Sequence, residues 1–335
     1  MRFGTVPLDQ AAGAILAHSV QVNGARLRKG LVLGAQDIAA LAAAGHDTVS
    51  VAQLDPGDVG ENDAAAAIAA ALVPDPDAQG MRVADAFTGR VNLHADGPGV
   101  VVLDTERLHA LNRIDPMLTL ATVPAFRQIG TGGMVATVKI ISYAIAGAHL
   151  AKALALLKTG PAIRLARPVV KTARLIVTDT PGGAGDKGAQ AVRARLGALG
   201  ITMSGPEIVP HQIAPLATAI TAATEDLVLI LTASATSDIN DIAPAALRQA
   251  GGVVERFGMP VDPGNLLFLG ALGDRPVIGL PGCARSPALN GADWVLARVA
   301  CGLGVTGDDI AGMGVGGLLK EIPTRPQPRD RRRPN

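Results

Sequence analysis

Aromatic residues are nearly missing from this chain: five Phe, one Tyr and one Trp make up 2% of 335 residues. So few rings exclude a surface that reads nucleic-acid bases by stacking. Cysteine is equally scarce. Cys283 and Cys301 form neither a metal-binding spacing nor a disulfide framework, which fits a reducing cytoplasm. No apolar run approaches the ~18 residues of a membrane span. The longest candidate, Ala64 to Leu72, is a short Ala-rich helix. No basic stretch followed by an apolar run opens the sequence, so secretion is not expected. A net charge of +1 lacks the excess that coats nucleic acid. The exception is Pro323 to Asn335, where Arg325, Arg329, Arg331, Arg332 and Arg333 lie among prolines. Its composition is that of a disordered, solubilising tail, with an anion or RNA contact as the alternative.

What the chain does hold is alanine, and with it helices. The 48% apolar fraction and mean hydropathy of +0.32 come largely from that residue. The length predicts more than one domain. Residues 1–73 read as a small α/β unit, with helices over Pro7–Val20, Ala35–Ala44 and Glu61–Leu72 and strands over Leu27–Leu33 and Thr48–Ala52. Pro74 to Gly80 reads as a linker. Residues 81–170 read as a mixed α+β domain, with Pro161 to Pro168 as a connecting segment. From Lys171 to residue 305, strands alternate with amphipathic helices, the last over Ser286 to Cys301. That rhythm predicts right-handed crossovers and a three-layer α/β/α domain on a mostly parallel sheet. Residues 306–335 form a C-terminal segment ending in the basic tail.

The richest stretch runs from Leu227 to Ser286. It opens as LVLILTASATSDINDIAPAAL and closes as RPVIGLPGCARSP. Each part is a buried strand emptying into a polar loop before a helix. Loops of this kind collect at the carboxyl edge of a parallel sheet, where α/β proteins build their ligand crevices. A third strand end adds Thr178, Asp179, Gly182 and Gly183. Backbone N–H groups at helix starts suit oxyanions. The candidate binding residues are therefore Thr178, Asp179, Gly182 and Gly183; Ala233, Ser234, Ala235, Thr236 and Ser237; and Pro281, Gly282, Cys283, Arg285 and Ser286. Asp238 and Asp241 are the candidate catalytic carboxylates. Beside an anion they call for a bridging divalent cation, with Asp241 as metal ligand; Asp241 is equally a favoured cap for the helix that follows. Cys283, at a helix start near Arg285, is placed to favour thiolate, or is simply a small packed residue. His211, closing a strand in VPH, is placed to line the crevice.

These motifs resemble the molybdopterin-binding domain of molybdenum cofactor biosynthesis proteins. That family carries a strand ending in Thr-Gly-Asp-Glu, a Gly-Gly loop followed by Asp, and a late Leu-Pro-Gly-Asn-Pro turn. Here Thr178–Gly183, Thr232–Asp241 and Leu280–Pro287 stand in those places, and Gly258–Gly270 is similar to the stretch between. Upstream, Leu27–Val51 is similar to the molybdotransferase branch. Asn112–Phe126 and Ala136–Gly147 resemble stand-alone molybdopterin-binding proteins found with molybdenum hydroxylases. The sequence departs from the family at Pro181, at Ala233-Ser234 in place of paired glycines, and at Cys283 in place of Asn.

The resemblance implies molybdopterin as ligand, Mg²⁺ at Asp241 and molybdate as a second substrate. It implies molybdate insertion by a molybdotransferase-like activity. Nucleotidyl transfer from ATP or CTP onto molybdopterin is one alternative. A non-enzymatic carrier, passing the cofactor to a molybdenum hydroxylase or its maturation factor, is another. It further implies a homo-oligomer; charge, aromatic content and the lack of a long apolar run leave neither nucleic acid nor membrane as an expected partner.

Overall fold

A computed structural model describes residues 1–22, 24–181 and 186–319. The candidates Gly182 and Gly183 and the basic tail lie outside the described residues. The chain divides into two compact units, residues 1–97 with 101–165, and residues 98–100 with 166–335.

The first unit holds two separate cores. One gathers Leu8, Leu16, Leu33, Leu41 and Val51. Here the helix expected over Pro7–Val20 does not form. Arg2–Pro7 is a strand paired antiparallel with Thr48–Gln53, and Ile15–Leu16 pairs with the other side of that strand. The apolar residues that mimic a helical period are instead held by backbone bonds to Leu31 and Leu33, after a turn at Gly13 with φ of +76°. The helix Ala35–Ala43 forms as expected, closed by Gly45 at φ of +84°.

The second core sets the helices Glu61–Leu72, Thr105–Asn112 and Gly147–Leu157 against a four-stranded sheet that includes Arg90–Ala95 and Met134–Ile140. Two segments read as irregular are ordered elements here. Pro76–Gln79 is a short helix capped by Asp75, with Gly80 left-handed at its end. Ile163–Ala166 is a strand. One buried side chain joins them: Gln79 Nε2 donates to Leu72 O at 2.8 Å and Ile163 O at 2.7 Å. A single glutamine meeting two distant carbonyls leaves no trace in hydrophobic pattern.

The second unit is an α/β fold on a six-stranded sheet. Its elements are β1 (Thr172–Asp179), α1 (Ala189–Gly197), β2 (Thr202–Pro210), α2 (Ile213–Ala222), β3 (Leu227–Leu231), α3 (Ile242–Gln249), β4 (Val253–Phe257), β5 (Phe268–Leu272), β6 (Arg275–Leu280), α4 (Gly291–Ala300) and α5 (Gly307–Ala311). The strand order is β2-β1-β3-β6-β5-β4. The first four strands run parallel, and β5 and β4 complete the sheet antiparallel.

All five residues of β3 are buried, as expected of a central strand covered on both faces. Val228 and Ile230 pack with Leu216, Ile220 and Leu247 of α2 and α3. Leu227, Leu229 and Leu231 alternate to the other face. α1 and α4 are tied to each other by the pair Arg195–Asp293. Gly279 in β6 is required by close approach: a Cβ there would lie 1.9 Å from the ring of its neighbour Phe268.

The last helix starts later than expected. Gly282–Arg285 form a single 3-10 turn, and α4 begins at Gly291. Pro287 removes a donor from the intervening loop. Asn290 and Asp293 then build a reciprocal capping box that fixes the helix start.

Candidate functional site

The carboxyl edge of the parallel strands brings together the ends of β1, β2, β3 and β6. At its centre is Thr178, fully buried. Its hydroxyl accepts from the Ala233 N–H at 3.0 Å and lies 2.8 Å from His211 Nδ1. The His211 N–H in turn donates to Asp179 O at 2.9 Å. One hydroxyl thus joins the ends of three adjacent strands. His211 is set against the hydroxyl by its ring as well as by its backbone.

The loop after β3 is organised by short side chains. Thr232 Oγ1 donates to Ser234 O at 2.6 Å and sits 3.4 Å from Thr236 Oγ1. Thr236 is buried, whereas Ser234, Ala235 and Ser237 are exposed. Asp241 caps α3: Oδ1 accepts from Ile242 N–H at 2.7 Å and Oδ2 from Ser237 N–H at 2.9 Å. Asp238, exposed, accepts from Asn240 N–H at 2.7 Å. Both carboxylates therefore serve the loop's own backbone. Among the described residues, no group of three His, Cys, Asp or Glu side chains is placed to hold a metal ion. The alanine and serine that replace paired glycines are no obstacle to this loop. Among the described non-glycine residues, only Thr88 and Phe126 have positive φ.

The amides of Ser234, Ala235 and Thr236 have no acceptor among the described residues, and neither has the amide of Gly282. They are the unspent donors of this edge. Beside them lies Arg285, which donates to Thr232 O at 2.8 Å and to Lys187 O. Burial pushes its guanidinium below the ordinary range, and the Asp179 carboxylate opposes that shift. Gly188 makes room for it: a Cβ there would lie 2.8–2.9 Å from Arg285, and its φ is +99°. Arg285 thus clamps the loops after β1, β3 and β6 into one rim.

The loop after β6 is held by Arg195, which has no precedent in the sequence reading. It donates to Asp293 Oδ1 at 2.5 Å, Ala284 O at 2.8 Å, Ser286 O at 2.7 Å and Ala288 O at 3.0 Å. Its position on α1 resembles that of any solvated basic residue, so only the fold reveals it. Pro281 is buried, and Gly282 and Ser286 are exposed. Cys283 does not favour thiolate. Burial raises its thiol, and Asp262 and Asp293 add to that, outweighing its own amide and Arg195. The neighbouring Arg285 directs two of its guanidinium N–H groups to carbonyls, one on each terminal nitrogen.

Residues 5–53 match a family model described as a domain of unknown function (DUF8806). No curated protein matches the chain. Two solved structures of the molybdopterin biosynthesis MoeA protein from Pyrococcus horikoshii are distantly similar. One is 14% identical with a TM-score of 0.33, covering 92% of this chain and 76% of its own. The other is 11% identical with a TM-score of 0.24, covering 90% and 72%. No helix among the described residues is long and apolar enough to cross a membrane.

Proposed function

We propose that the second unit binds molybdopterin through its phosphate at the carboxyl edge, in the service of molybdenum cofactor biosynthesis. The observation that carries this reading is the rim itself. Unspent amides at Ser234, Ala235, Thr236 and Gly282 stand beside a half-buried guanidinium at Arg285. Such an edge offers neutral donors and one fixed positive charge, the complement of a phosphoryl oxyanion. The motif resemblance at Thr178–Gly183, Thr232–Asp241 and Leu280–Pro287 supplies the pterin to which that phosphate belongs.

Molybdate insertion is the reaction this binding would serve, with the amides and Arg285 positioning the anion by electrostatics. One observation favours the carrier reading over catalysis. Asp241 commits an oxygen to each of two amides, and Asp238 is engaged with Asn240. In that arrangement the carboxylates shape the loop, and the chain holds a cofactor without transforming it. Nothing comparable favours nucleotidyl transfer.

The test is the pterin and molybdenum content, by mass spectrometry, of protein purified from a cofactor-producing host. Pterin near one per chain is expected, reduced about tenfold in Arg285→Ala. Absence of pterin from the wild-type protein would overturn the proposal. Pterin retained with molybdenum absent would favour insertion downstream of this chain.

A further inference from the structure

A second concave surface lies away from the carboxyl edge, on the α4 side of the sheet's antiparallel border. It is a groove of about 550 Å³ lined by β4, β5, the start of β6 and the segment after α4. The sheet's alternation builds its floor. Val254 turns into the core with α2 and α3, so Val253 and Glu255 face the other way, toward the groove. Val253 is 67% exposed.

The far wall follows from how α4 ends. Gly302, at φ of +67°, donates to Val299 O, and Leu303 donates to Arg298 O. This pair of bonds reverses the chain through a left-handed glycine. It turns Leu303, Gly304 and Val305 back along the groove. The carbonyl end of α4, with its partial negative charge, closes one side.

The charged lining has one sign. Glu255 and Asp274 are the charged residues along the groove, and both are exposed. Among the described residues Glu255 accepts only the Gly307 N–H, at 3.2 Å. Among the described residues neither carboxylate forms an ion pair. The arginines next to them in sequence turn to carbonyls: Arg256 to Gly258 O and Gly307 O, and Arg275 to Ala223 O and Ile220 O. An apolar trough with two unpaired carboxylates and a helix carbonyl end fits an extended cationic segment with apolar spacers.

The chain carries such a segment. Leu319 is anchored to Asp262 O at 2.8 Å, a few residues beyond the end of β4. From there residues 320–335 run KEIPTRPQPRDRRRPN, with Lys320 and five arginines against Glu321 and Asp330. That length reaches roughly 50 Å when extended, several times the span of a five-residue strand. We propose that this C-terminal segment docks in the groove of its own chain, its arginines meeting Glu255 and Asp274. Tethering makes the encounter intramolecular, so weak contacts suffice.

The full-length chain can be tested with a photo-crosslinking residue, p-benzoylphenylalanine, in place of Gln327. Irradiation should join that position to peptides within residues 253–256, 269–276 or 299–306. The yield should be independent of protein concentration and fall about fivefold in the double variant Glu255→Gln, Asp274→Asn. Glutamine keeps an acceptor for the Gly307 amide, so the fold is preserved. Amides of residues 302–306 should also exchange faster when the five arginines become alanine. No crosslink, a yield unchanged in the double variant, a yield rising with concentration as for a second copy, or crosslinks to the loops of the carboxyl edge would each overturn the proposal.

Discussion

The loop after β3 is tied to itself, whereas the loop after β6 is tied to a helix nearly ninety residues away in sequence. Thr232, Asp238 and Asp241 hold the first through bonds that span at most four residues. Arg195 holds the second with four acceptors, one of them a carboxylate. Yet the two loops form one rim, because Thr178 and Arg285 cross between them and the other strand ends. Short-range bonds give the first loop a shape that survives local change. The second depends on the whole α/β layer being assembled. The proposed anion site, shared by both, would therefore be only as well preorganised as its long-range half.

The sharpest way to break that contrast is Arg195→Ala. It would leave Asp293 without its cation in a position where both side chains are mostly covered. Removing one member of such a pair costs about 3 kcal/mol, read as a lower midpoint in urea unfolding. A loss under ~0.5 kcal/mol would mean that the capping box of α4 holds the loop unaided. Next comes Thr178→Val, which keeps the shape and removes the hydroxyl. The half-buried Ala233 amide then loses its acceptor, at about 2 kcal/mol. The His211 ring should also lose its fixed position, visible in its NMR side-chain shifts. Smallest is Asp241→Ala, a lost helix cap of about 1 kcal/mol. Ligand affinity separates the two readings of Asp241. If it only shapes the loop, pterin affinity falls in step with stability; a complete loss of binding in a stable Asp241→Ala protein would place the carboxylate on the ligand.

The same contrast explains what was legible in the sequence. β3 announces itself as LVLIL, since a strand buried on both faces must be apolar throughout. Asp241 before Ile242 reads as a cap because capping is local. The clustering of Thr178, the Ala233–Ser237 loop and the Pro281–Ser286 turn follows from parallel topology alone. Gln79 was invisible because both its partners are backbone carbonyls, which carry no residue identity, and three of the four acceptors of Arg195 are carbonyls as well. His211 showed only its place at a strand end; its contact with Thr178 needed the register of β1 against β2. The helix expected over Pro7–Val20 failed because a local apolar period cannot reveal hydrogen bonds to Leu31 and Leu33.

The most direct measurement is a calorimetric titration of the wild-type protein with molybdopterin and with the same pterin lacking its phosphate. Charge-assisted bonds from Arg285 and the loop amides should make the phosphate indispensable, so its removal should weaken binding at least tenfold. In Arg285→Ala that difference should shrink. Equal affinity for the two ligands would contradict a phosphate site at the carboxyl edge.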